Sequence, residues 1–286
     1  MCGTSAATLT AVRRRRLLPL LLTALCASAC GKEAPAPDAT APERAERREQ
    51  RQPPTPQATT DLPPDVAVTY AGRGADAAFI LRPRDKPAAR LPVVLFGHGW
   101  FATNPQVYRG WVTHLVRQGN VVVYPVYQTV PYLSPELALE GFTNGVRTAL
   151  RRTPHTPDGL VAVGHSAGGA LVADYAATAA EAGLPVPEAV LSAYPGRKLP
   201  RFDPRIPEED LTRIPRSTEV VALAGAADVV VGDTAARSLV RQAPDATLVT
   251  VTDPTVADHR GPQRADAESR RAFWRRLDAL IRRARR

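Results

Sequence analysis

The sequence predicts an α/β fold with a mostly parallel central sheet and helices on both faces, on three grounds. Short, wholly apolar runs recur at Val93–Phe96, Val121–Tyr124, Leu160–Val163 and Val220–Leu223, as strands buried on both faces require. Segments with helical spacing separate them. Glycine directly follows two of these runs (Gly97, Gly164) and stands one residue beyond a third (Gly225), where a strand would have to turn sharply.

Taken in order, Val66–Tyr70 and Ala75–Leu81 read as two opening strands, with Gly72 and Gly74 supplying the turn. After Val93–Phe96, the residues Tyr108, Trp111, Val112 and Leu115 mark a helix stopped by Gly119. Val121–Tyr124 follows, and a Pro- and Tyr-containing loop leads to a helix over Pro135–Arg151. Leu160–Val163 precedes a helix over Ala167–Glu181, rich in alanine, the best helix former. Val190–Leu191, Val220–Leu223 and Leu248–Val251 supply the later strands. The C-terminal helix has an apolar stripe, Phe273, Leu277, Leu280, Ile281 and Ala284, to lay on the sheet.

The start of the chain has a different character. Four arginines, Arg13 to Arg16, precede a short apolar run, Leu17–Leu25, and small residues lead to Cys30. The run is too short for a comfortable permanent span, and the order of charge, apolar core and small residues predicts a secretory signal peptide over 1–29. Residues 30–64 are rich in Pro, Arg and Glu, with Leu62 their single large aliphatic residue. Such a stretch buries too little apolar surface to offset the entropy of ordering, so it reads as a disordered tether to a domain spanning 65–286. The three cysteines, Cys2, Cys26 and Cys30, all precede that domain, leaving its core to hold without a disulfide.

Ala27-Ser28-Ala29-Cys30 resembles a bacterial lipoprotein box. The resemblance implies lipidation of Cys30 and a membrane anchor, with Gly31 rather than Asp next to it favouring the outer membrane. Ala27-Ser28-Ala29 equally satisfies ordinary signal cleavage, which would yield a soluble secreted or periplasmic protein. Net charge is +9, and nine arginines fall between Arg264 and Arg286. No base-stacking aromatics interleave with them, so a solvated helix face is the reading and nucleic acid is not expected as a partner. No His, Asp and Glu cluster has ligand spacing, so neither metal nor cofactor is expected.

In a parallel sheet, chemistry gathers at the carboxyl ends of the strands. There Gly164-His165-Ser166-Ala167-Gly168 matches G-x-S-x-G, set between an apolar strand and an alanine-rich helix. The motif presents Ser166 as a nucleophile above the sheet. A serine hydroxyl needs a base, and the chain has only five histidines. His98 and His165 belong to glycine motifs, His114 to a helix, and His155 to the far end of the sheet. His259, in the loop before the C-terminal helix, remains. The acid should follow an intervening strand, as Asp228 does. Asp233 is its rival but reads as the N-cap of a helix beginning near Thr234, and Asp258 should point away from its neighbour His259. Main-chain N–H groups of Trp100 and Ala167 are the expected oxyanion donors, and Trp100, Phe101, Tyr127 and Tyr132 the expected walls for the substrate.

Gly97-His98-Gly99-Trp100, Gly164-His165-Ser166-Ala167-Gly168-Gly169, Gly225-Ala226-Ala227-Asp228 and Asp258-His259 together resemble the dienelactone hydrolase, chlorophyllase and polyester-hydrolase branch of the α/β-hydrolases. Polyester hydrolases usually carry Tyr and Met where this chain has Trp100 and Ala167. The expectation is an exported carboxylic ester hydrolase working through an acyl-serine on a small-molecule ester. Amide, peptide or lipid hydrolysis would use the same machinery, and a catalytically silent envelope-binding domain is the reading from a different class.

Overall fold

A computed structural model describes residues 61–87, 89–128, 134–198 and 205–286. The signal segment, Cys30, most of the tether and Tyr132 lie outside the described residues. Within them, eight strands form one sheet: β1 (Val66–Ala71), β2 (Ala78–Pro83), β3 (Val93–Gly97), β4 (Val121–Pro125), β5 (Val161–His165), β6 (Ala189–Ala193), β7 (Glu219–Gly225) and β8 (Ala246–Val251). Their order is β1-β2-β4-β3-β5-β6-β7-β8. β2 pairs antiparallel with β1 and β4, and every other pairing is parallel.

Alternation along the apolar runs feeds two cores at once. Val94, Phe96, Val122 and Tyr124 face α1 (Arg109–Arg117) and the C-terminal helix, where Trp111, Leu115, Phe273, Leu277, Leu280 and Ile281 close one core. Val93, Leu95, Val121 and Val123 face α2 (Ala138–Leu150), α3 (Ala167–Thr178) and α4 (Thr234–Gln242), with Phe142, Leu171 and Leu239 in the second. Each large apolar side chain so buried contributes about 1.5–3 kcal/mol. α3 is buried along nearly its whole length, which explains its alanines: larger side chains would hold it off the sheet.

The structure refines the sequence reading in several segments. Ala75 lies in a 3₁₀ turn, Gly74–Asp76, and not in a strand; Gly72 and Gly74 have positive φ, and the chain extends only from Ala78. The C-terminal helix runs through a π-helical turn, Arg270–Trp274, into α5 (Arg275–Ala284). Leu62 is buried against the α1 side of the core, so packing reaches past the expected boundary at Asp65.

Candidate active site

β5 delivers the chain to Ser166 through Gly164 and His165, and α3 leaves at Ala167. Ser166 has φ 57° and ψ −121°, a strained conformation for a residue with a side chain. Its main chain is held on both sides: its N–H donates to Ala193 O at 3.1 Å, and its carbonyl accepts from Gly169 at 2.9 Å and Gly196 at 3.0 Å. The turn leaves no room beside it. A Cβ at Gly164 would lie 2.0 Å from Gly168 O, and one at Gly168 would lie 2.1 Å from the Gly97 carbonyl.

His259 stands on the loop after β8. Its Nε2 is 3.0 Å from Ser166 Oγ and its Nδ1 is 2.8 Å from Asp228 Oδ2. Asp228, just past β7, takes Val230 and Val231 N–H on its other oxygen at 2.9 and 3.2 Å. Burial pushes the Asp228 carboxyl up, but the His259 bond and these two amides outweigh it and hold the group below its ordinary value. The acceptors on Asp228 therefore make His259 Nδ1 the protonated nitrogen, leaving Nε2 to face the hydroxyl. Asp233 is placed at the start of α4 as expected, but its side chain does not cap the helix; it pairs with Arg237 at 2.6 Å. Asp258 turns away to Arg264.

The other histidines do different work. His98 is buried between the carbonyls of Gly99 and Val126 and stacks on Tyr127 with centroids 4.1 Å apart. His165 packs beside His259, its Nδ1 on the Tyr108 hydroxyl at 2.7 Å and its Nε2–H donating to His259 O at 2.9 Å. Burial lowers His98 to about 4 and His165 to about 3, so both rings are neutral. His114 pairs with Asp278, and His155 bridges Leu91 ahead of β3.

The loop after β3 lies against the elbow, tied by Gly168 N–H donating to His98 O at 2.8 Å. A Cβ on Gly99 would come within 3.3 Å of Ser166 Cβ. The N–H groups of Trp100 and Ala167 have no acceptor among the described residues, so both are available to an oxygen bound beside Ser166. Trp100 is half-buried, edge-on to Tyr127, while Phe101 is 61% exposed at the rim. Tyr127 corrects the sequence reading. It is buried, its ring stacks on His98 and its hydroxyl donates to His98 O, so it supports the loop from beneath and does not wall the cleft.

Two supporting residues escape a reading of the sequence. Tyr108, there only a helix-face aromatic, accepts from Gly99 N–H at 3.0 Å and reaches His165. Tyr194, with φ 49°, holds the His259 loop by donating to Val256 O at 2.8 Å. Nothing in spacing separates such aromatics from ordinary core residues.

A serine on a strand-to-helix elbow, facing histidine and then aspartate in the chain order Ser, Asp, His, is the site arrangement of an α/β-hydrolase. The family model described as alpha/beta hydrolase fold matches residues 93–254, and the chain belongs to that family. Among solved structures it is similar to an esterase from Rhizomucor miehei (17% identity, TM-score 0.61, covering 84% of this chain and 88% of that one). It is also similar to carboxyl esterase 2 from Tuber melanosporum (18%, TM-score 0.58, 84% and 97%) and to esterase B from Lactobacillus rhamnosis (17%, TM-score 0.57, 85% and 93%). A comparison with curated proteins found no match.

Proposed function

We propose that this chain is a cofactor-free serine hydrolase of carboxylic esters. The single observation that carries the reading is the unbroken line from Ser166 Oγ through His259 to Asp228, at 3.0 and 2.8 Å. His259 Nε2 takes the Ser166 proton as Oγ attacks the ester carbonyl. The Trp100 and Ala167 amides receive the oxyanion, and Asp228 stabilises the imidazolium. His259 then returns the proton to the departing alcohol. Water, deprotonated by the same nitrogen, cleaves the acyl-Ser166 ester and releases the acid. The esterase names of the solved structures it resembles accord with this chemistry, and its motifs favour the dienelactone hydrolase, chlorophyllase and polyester-hydrolase branch.

The N-terminal pattern supports an exported protein, with Cys30 as a lipid-bearing anchor to the outer membrane. The test of the activity is turnover of a series of 4-nitrophenyl esters of increasing chain length. Hydrolysis by the wild type and its near absence in Ser166→Ala is the expected result; equal rates in both would remove Ser166 from the chemistry.

A further inference from the structure

The fold treats the arginines of the C-terminal segment unequally. Arg264, Arg271 and Arg283 meet Asp258, Glu268 and Glu219 at 2.6, 3.0 and 2.6 Å. Arg270 and Arg275 do not meet a carboxylate among the described residues, and Arg270 instead lies over the Trp274 ring, 5.1 Å from its centroid. Both line an open groove of about 860 Å³ between the C-terminal helix and α1, which adds Arg109 and Arg117. The two helices approach closely at Gly110, where a Cβ would lie 2.7 Å from Ala265 Cβ and 3.3 Å from the Trp274 ring. One carboxylate reaches the lining, Asp278, and His114 Nε2 holds it at 3.0 and 3.1 Å. Arg117 is bidentate to Asp65 at 2.7 and 3.1 Å. Arg109, Arg270 and Arg275 are thus left as exposed cations around one groove, without a carboxylate partner among the described residues.

Three further features bear on what the groove meets. Val107, 39% exposed, lines it among the arginines. Cations with an apolar side chain between them suit a bilayer surface, which offers phosphates above an acyl boundary. Trp274 is buried, with Arg270 over its ring and His114 packed against it at 5.0 Å, so it offers no open face on which a nucleic-acid base could stack. Pro63 also lines the groove, and Leu62 is buried on the same side of the sheet, so the segment before residue 61 joins the domain here.

We propose that this groove is the face the domain turns toward an anionic lipid bilayer, with Arg109, Arg270 and Arg275 on headgroup phosphates and Val107 at the headgroup boundary. Three arginines near such a surface strengthen binding by about a hundredfold together. Screening makes that too little to hold a protein in physiological salt, so the groove orients a chain brought to the bilayer by another element. The lipid proposed on Cys30 would bring it there, and the face is tested without that lipid.

The test uses the full chain with its three cysteines replaced by Ser and an environment-sensitive dye on Val107→Cys. At low salt the dye emission should shift to the blue on vesicles of phosphatidylcholine mixed with phosphatidylglycerol, and not on phosphatidylcholine alone. With Arg109→Gln, Arg270→Gln and Arg275→Gln together, the docking equilibrium should fall about a hundredfold and the shift should vanish. Removing the same charge beside the other core, by Arg205→Gln, Arg216→Gln and Arg241→Gln, should preserve it. No shift on the anionic vesicles, a shift that survives the groove substitutions, or one lost equally with the other set overturns the docking face. Duplex DNA that produces the shift where vesicles produce none would also overturn it, and make the groove a nucleic-acid site.

Discussion

The Tyr108 hydroxyl sits 2.7 Å from His165 Nδ1 and 3.0 Å from Gly99 N, joining the loop after β3 to the histidine that precedes Ser166. Burial raises the hydroxyl to about 12, so it keeps its proton and donates to the neutral His165. That ring in turn donates to the main chain of His259. One hydroxyl thus ties together the loop that carries Trp100 and the loop that carries His259.

Tyr108→Phe should therefore cost both stability and rate. It leaves a buried N–H and a buried ring nitrogen unpaired, a loss of about 1–3 kcal/mol. Urea unfolding should show that loss, and steady-state kinetics should show kcat falling more than KM rises. Wild-type values for both would mean that the hydroxyl holds nothing.

Ser166→Ala and His259→Ala should each nearly abolish turnover, and the double variant should be little worse, because the residues act as a unit. Multiplicative losses would count against a triad. Asp228→Asn should reduce kcat by several orders of magnitude, about 10⁴-fold. Asp233→Asn should leave it near wild type, since that carboxylate pairs with Arg237 on the surface. The opposite ranking would move the acid to Asp233.

Stability should fall as pH drops below the ordinary histidine value. His98 and His165 titrate near 4 and 3 in the folded chain and near 6.5 when unfolded. The unfolded state therefore binds more protons below pH 6.5, and the stability these rings contribute above that pH is lost as pH falls toward their folded values. Asp174 acts in the opposite direction. Burial raises it to about 6 despite the Arg197 bond, so its contribution grows on acidification from pH 6 toward its unfolded value, and the two larger histidine shifts outweigh it. Urea midpoints should decline between pH 6.5 and 4.5, and His165→Gln should flatten that decline. A midpoint that rises through this window would contradict the assignment of buried neutral rings.

On the proposed lipid anchor, Cys30→Ser should release the protein from the membrane fraction and leave the proposed ester hydrolysis unchanged. One acyl chain binds a bilayer only marginally, and several on one cysteine hold it far better. A wild-type protein already soluble, with an unmodified Cys30 at its N-terminus, would make ordinary secretion the correct reading.

The sheet is legible in the sequence because a strand buried on both faces has to be apolar at every position, as in Val93–Gly97 and Val121–Pro125. The elbow is legible because Gly164 and Gly168 stand where added carbons would collide with main chain, which forces a local signature. Asp228 and His259 follow from strand ends and chain order. Tyr127 does not, because an aromatic after a strand end looks the same whether it faces the cleft or lies under the loop. It has a positive φ, 41°, and its ring lies inward, stacked on His98. Asp233 fits a cap by position alone, and only the Arg237 contact shows where its carboxylate goes. Tyr108 and Tyr194 act through contacts to residues 57 and 62 positions away, a separation that local pattern does not encode.

Fluorophosphonate labelling of the folded protein, followed by peptide mapping, probes Ser166 as a nucleophile activated by His259 without reference to any substrate. One adduct is expected, on Ser166, absent from Ser166→Ala and strongly reduced in His259→Ala. A folded wild-type protein that takes up no label, or that takes it up at another residue, would rule out this assignment.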